Sequence, residues 1–183
     1  NENFGMNIEK YVTVDFFSLE RIIDKLGGVE VEIKDYEVRF LENKANDINP
    51  AIIDSPGTYN LNGRQAVAYS PIRKVGDGDF ERTDRQRVIL TSLISKASDI
   101  SIAEAHSLLN ILLPEVETNL TKGEIIKFSS IGTRSAKNPV NELRLPYEGT
   151  YEHERIRGMA VLVPDMDKNK KILHDFIFNG DSF

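Results

Sequence analysis

Between residues 73 and 87 the chain reads RKVGDGDFERTDRQR: four arginines and a lysine among four carboxylates and a glutamine, with Gly76 and Gly78 near the start. Guanidinium groups at this density suit the holding of oxyanions. Their planar fork matches phosphate oxygens in pairs, which an ammonium does not do. A helix beginning near Asp79 would add free N–H groups and the positive end of its dipole. Gly76 and Gly78 would let the preceding backbone approach a ligand closely. Arg73, just upstream, can close such a site from its other side. Asp79 can cap the helix, orient an arginine, or do both.

Advancing about 100° per residue from Asp79 places Arg82, Arg85, Gln86, Ile89 and Leu93 on one stripe, with Asp84 and Arg87 turned away. The apolar members must face the core, so the expectation is that the arginines and the amide point inward too. A buried guanidinium needs a partner, because desolvating a charge costs several kcal/mol. Two readings follow. Either the arginines line a cleft for an anion, or they form solvated ion pairs, Arg82 with Asp79 or Glu81 and Arg85 with Asp84.

The elements that must position these groups are legible in outline. IEKYVTV (8–14) alternates like a strand. DFFSLERIIDKLGG (15–28) has Leu19, Ile22, Ile23 and Leu26 at helical spacing, Asp15 as a cap and a Gly27-Gly28 stop. VEVEI (29–33) reads as a strand with one wet face, and residues 34–60 as polar and irregular. Asn62 caps a short helix through Ala66 and Ala68, and a long helix covers about 80–98. Further helices are expected at 101–116 and over TKGEIIKFSSIGTR, strands near NELRLP and GMAVLVP, and a closing helix at 166–178. The fold class is α/β, with 1–183 as one domain.

A net charge of −6 argues against a nucleic-acid binder, whose affinity rests on a broad basic surface. With no cysteine, disulfides, thiolate metal sites and cysteine nucleophiles are excluded. No apolar run is long enough to span a bilayer. His106, His153 and His174 are scattered without metal-type spacing. YEHER (151–155) and ENKANDIN (42–49) carry possible ligands for a cation and are read as loops. The apolar side chains of FFSLERIIDKLGG can wall a channel for a lipid, but are read first as ordinary core.

The stretch LNGRQAVAYSPIRKVGDGDFERTDRQRVIL closely resembles the signature of the LytR-CpsA-Psr family: LNG, then AL-x-Y-x-R-x-R, a short loop, and GDF-x-R-x-x-RQ. YVTVDFFSLERIIDKLGGVEVEI is similar to that family's strand–helix–strand ending in GGV. The resemblance implies an α/β/α sandwich around a mixed central sheet. It implies an extracytoplasmic enzyme anchored by one N-terminal membrane helix. Such enzymes move an anionic glycopolymer, a teichoic acid or capsular polysaccharide, from a polyprenyl pyrophosphate carrier to peptidoglycan. By position, Arg73, Arg82 and Gln86 match residues that contact the pyrophosphate, Asp79 the motif's acidic residue, and Arg85 the arginine before the glutamine. Arg73, Asp79 and Arg82 are the expected catalytic set, with Arg85 and Gln86 joining Arg73 and Arg82 in substrate binding. Magnesium is the implied cofactor, its ligands expected from an earlier part of the domain preceding Asn1. Pro71 departs from the pattern, standing where an arginine is usual and offering neither charge nor donor. Two other readings are a binding module that holds lipid or wall polymer without transferring it, and a transcriptional attenuator.

Overall fold

The computed structural model describes residues 1–43, 53–72, 79–98, 110, 112–135, 138 and 140–180. Arg73, Gly76, Gly78, His106, most of the 42–49 segment and most of the expected helix at 101–116 lie outside the described residues, as does the side chain of Asp79. The chain is of mixed α/β class and divides into two compact units, Lys10–Asn138 and a second made of Asn1–Glu9 with Pro139–Phe183.

The larger unit opens with β1 (Val12–Thr13) and α1 (Phe16–Lys25). Asp15 caps α1 in extended conformation, its Oδ1 accepting from the Ser18 N–H at 2.8 Å. The Gly27-Gly28 stop is real. Gly27 sits at φ +77° and Gly28 at +91°, and their N–H groups return to the carbonyls of Asp24 and Ile23. That is the glycine-terminated helix end in which a left-handed residue satisfies the last carbonyls.

β2 (Val29–Ile33) alternates buried and exposed residues, as VEVEI requires. It pairs antiparallel with β3 (Gly57–Leu61), from Val29 opposite Leu61 to Ile33 opposite Gly57. Between them α2 (Asp35–Asn43) occupies part of the stretch read as irregular. Tyr36, Val38 and Phe40 recur at every second position and obscure the helical period. The helix start is nevertheless written in chemistry: Glu37, in its first turn, reaches back to accept the Lys34 N–H at 2.9 Å.

α3 (Gly63–Tyr69) begins with a reciprocal cap, Asn62 accepting from the Gln65 N–H and Gln65 from the Asn62 N–H. Gly63 donates its N–H to Asp24 Oδ1 at 2.7 Å, and a Cβ there would lie 2.0 Å from the Glu20 carbonyl oxygen. The glycine of LNG is therefore what lets α3 approach α1. α4 (Asp79–Ser98) packs on β2, with Ser92 Oγ accepting the Glu30 N–H and Lys96 reaching the Leu26 carbonyl at the end of α1. The core joins Ile23, Val29, Val31, Ile33, Val38, Leu41, Ile53, Leu61, Ala66, Tyr69, Ile72 and Ile89. A short 3₁₀ turn (Leu113–Glu115), β4 (Glu117–Thr118, antiparallel to β1) and α5 (Lys122–Ser135) complete this unit.

In the smaller unit β5 (Tyr151–Ile156) and β6 (Met159–Pro164) form an antiparallel hairpin. The stretch YEHER is thus a strand, correcting its reading as a loop; NELRLP forms no strand. α6 (Met166–His174) follows with Asp165 as its cap, then one wider π-type turn (Asp175–Asn179). Asn169, 1% exposed, ties the hairpin to α6: its amide donates to Thr150 and Asp165, and its Oδ1 accepts the Tyr147 N–H. Among the described residues every sheet has two strands and every pair is antiparallel.

Candidate functional site

Helix α4 carries residues 79–87 of the arginine segment, and the described members divide between the core and the surface. Arg85 and Ile89 are buried, Arg82 and Leu93 are half-buried, and Gln86 is exposed. The inward expectation therefore holds for Arg85, and Gln86 corrects it. At about 100° per residue Arg82 lies on the flank between the two, and Gln86 falls on the solvent side of that flank.

Arg85 is 3% exposed and each of its three guanidinium nitrogens donates to the protein. Nε donates to Glu37 Oε1 at 2.7 Å, Nη2 to Glu81 Oε2 at 2.7 Å, and Nη1 to the Ile72 carbonyl at 2.8 Å. Its Cζ lies 5.8 Å from the centre of the Tyr69 ring. The Tyr69 hydroxyl donates to the Glu37 carboxylate at 3.2 Å, and the Tyr36 hydroxyl to Glu81 Oε2 at 3.2 Å. Glu37 is 1% exposed. Burial opposes the charge on Arg85, but the hydrogen bond and charge of Glu37, with Tyr69 and Glu81, raise its pKa above the ordinary value. Burial first, then the negative charge of Glu37, pushes the Tyr69 hydroxyl upward. Such a cluster is coherent because the buried charges face opposite partners, and each guanidinium nitrogen and both hydroxyls find an acceptor.

This arrangement corrects the expectation that Arg85 itself grips substrate. Its three nitrogens are spent on Glu37, Glu81 and the backbone, and Asp84 pairs instead with Arg87 at 3.5 Å. Sequence reasoning missed Glu37 and Tyr69 altogether. Glu37 lies 48 residues from Arg85, and no local pattern records such a partner.

The Ile72 carbonyl is where the cluster touches the rest of the site. Ile72 is 1% exposed, and Arg73 follows it directly. The residue before it, Pro71, lines an apolar cleft of about 320 Å³ with Phe16, Phe17, Glu20 and Val67. Phe16 and Phe17 are 61% and 75% exposed, so the reading of α1's apolar side chains as core holds for Ile23 and fails for these two. Pro71 thus presents an apolar wall to this cleft. No three carboxylates or histidines gather round one point among the described residues.

The pattern described as the LytR_cpsA_psr family matches residues 1–175. The chain is 33% identical over 153 residues to the polyisoprenyl-teichoic acid–peptidoglycan teichoic acid transferase TagV of Bacillus subtilis (strain 168), covering 82% of this chain and 38% of that protein. It is 27% identical over 183 residues to the regulatory protein MsrR of Staphylococcus aureus (strain COL), covering 97% of this chain and 53% of that protein. The crystal structure of B. subtilis TagV is similar with a TM-score of 0.67 at 29% identity, covering 95% of this chain and 66% of that one. TagT bound to LI-WTA has a like fold, with a TM-score of 0.72 at 21% identity and coverage of 95% and 62%. The chain spans 38% to 53% of the length of these curated relatives.

Proposed function

Because the chain belongs to the LytR-CpsA-Psr family, we propose that it is part of a wall-glycopolymer transferase that works at the extracytoplasmic face of the cell membrane. Its donor is an anionic glycopolymer on a polyprenyl pyrophosphate carrier, and its acceptor a hydroxyl of peptidoglycan. The observation that carries this reading is the continuity of Pro71, Ile72 and Arg73. Pro71 lines the apolar cleft, the Ile72 carbonyl is held by Arg85, and Arg73 leads into the arginine segment. An isoprenoid chain in the cleft would place its phosphates at that segment.

In the reaction, the acceptor hydroxyl oxygen bonds to the sugar-bearing phosphorus and the P–O–P bond breaks. Polyprenyl monophosphate leaves, and the hydroxyl proton passes to a general base. Charge accumulates on the bridging and leaving oxygens, so fixed guanidinium groups aimed there lower the barrier. Arg73 and Arg82 take that role, Gln86 donates from its amide at the rim, and Asp79 orients the arginines. Magnesium would assist by neutralising phosphate charge. TagV's name as a teichoic acid transferase and TagT's capture with LI-WTA support the polymer class.

Supplying the full-length protein with lipid-linked polymer, magnesium and peptidoglycan tests this directly. Release of polyprenyl monophosphate together with polymer-bearing peptidoglycan is expected, and Arg82→Ala should lower the rate by roughly a hundredfold or more, as for other charge-stabilising groups. A second reading, a module that holds lipid phosphate without transferring it, is favoured by Pro71, which brings neither charge nor donor to the cleft it lines. Binding without turnover in the same assay selects it.

A further inference from the structure

We infer that Glu37 and Arg85 are positioning residues for anion binding, holding the Ile72 carbonyl against the first turns of helix α4, on which Arg82 stands. The inference rests on the reading above, that the arginine segment receives the phosphate end of a polyprenyl carrier.

The geometry separates this role from ligand binding and from plain stabilisation. Arg85 cannot meet a ligand's oxygens from a 3% exposed position with Nε, Nη1 and Nη2 all donating to protein acceptors. As a source of stability the pair is a poor choice, since apolar side chains of similar volume serve as well or better in a core. What an apolar pair cannot do is grip a backbone carbonyl. The guanidinium spans three acceptors from three places in the chain: Glu37 on α2, Glu81 on α4, and Ile72 just before the arginine segment. Only a rigid fork reaches all three at 2.7 to 2.8 Å.

Glu37 in turn is oriented from three sides. Its Oε2 accepts the Lys34 N–H, the Tyr69 hydroxyl donates to both oxygens, and Arg85 takes Oε1. Glu81 is steadied by the Tyr36 hydroxyl. The result is a small lattice that fixes the end of α3, the start of α2 and the first turns of α4 relative to one another. Arg82 sits one residue beyond Glu81 on that fixed turn. Misplacement of a phosphate-binding group by about 1 Å is enough to cost much of its effect.

The test measures the affinity of the full-length protein for geranylgeranyl monophosphate and for the uncharged geranylgeraniol, taking the ratio as the contribution of the headgroup. Wild type should prefer the phosphate by roughly tenfold or more, the equivalent of a single charge-assisted hydrogen bond. Arg85→Lys should bring the ratio close to one while leaving the alcohol's affinity unchanged, and Lys171→Ala, in the other unit, should keep the wild-type ratio. General loosening of the fold would weaken both lipids together, which would overturn the inference. Should Arg85→Lys fail to fold, the double variant Glu37→Gln with Arg85→Met removes both charges at once and should fold yet still lose the preference. A preference retained in these variants overturns the positioning role alone. No preference in wild type overturns the proposed function, and the positioning role with it.

Discussion

Arg85 Nε stands 2.7 Å from Glu37 Oε1, with only 3% and 2% of the two side chains exposed. An ion pair so withdrawn from water is more costly to break than it is valuable to keep. Removing one partner, by Glu37→Ala or Arg85→Ala, should cost about 3–5 kcal/mol, because a lone charge is left in the core. Glu37→Gln with Arg85→Met should recover most of that loss. Urea unfolding midpoints of the three variants check the asymmetry.

The same cluster sets a response to alkaline pH. Burial, then the charge and hydrogen bond of Glu37, raise the Tyr69 pKa above the usual 10.0. The folded protein thus keeps a proton that the unfolded chain loses. Stability from this group is whole below pH 10.0 and declines as the pH rises above it. A spectrophotometric titration of the tyrosines should show one lagging component, and Tyr69→Phe should remove it.

Gly63 makes a prediction independent of charge. A methyl group there would meet the Glu20 backbone carbonyl at 2.0 Å, and backbone cannot swing aside as a side-chain tip does. Gly63→Ala should therefore cost about 1–3 kcal/mol or more as α1 and α3 are forced apart. Thermal unfolding compared with Gly123→Ala, where a Cβ meets nothing within 4 Å, isolates the effect.

What could be read in advance was whatever the chain states locally. Asp15, the Gly27-Gly28 pair and the Asn62 cap each bond within a few residues of themselves, and VEVEI alternates without help from elsewhere. The start of α4 at Asp79 also agrees with the sequence reading. The arginines were harder. Their types and spacing announced anion chemistry, but which of them is spent inside the fold depends on Glu37 and Tyr69, and on a backbone carbonyl 13 residues away. Helical angle alone placed Gln86 with Arg85, whereas the edge of the buried face falls between them. YEHER misled because its polar residues suggested a solvated loop, although a two-stranded hairpin leaves most of β5 exposed and tolerates that composition.

The proposed function requires the carrier's chain to lie in the cleft at Pro71 and its phosphates at the arginines next in sequence. A polyprenyl monophosphate bearing a photoreactive diazirine in its first isoprene unit, cross-linked to the full-length protein and mapped by mass spectrometry, measures this most directly. Labels on Phe16, Phe17, Val67 or Pro71, suppressed by excess polyprenyl pyrophosphate, are the predicted result. Labelling confined to the β5–β6 hairpin, or spread without preference, would contradict it.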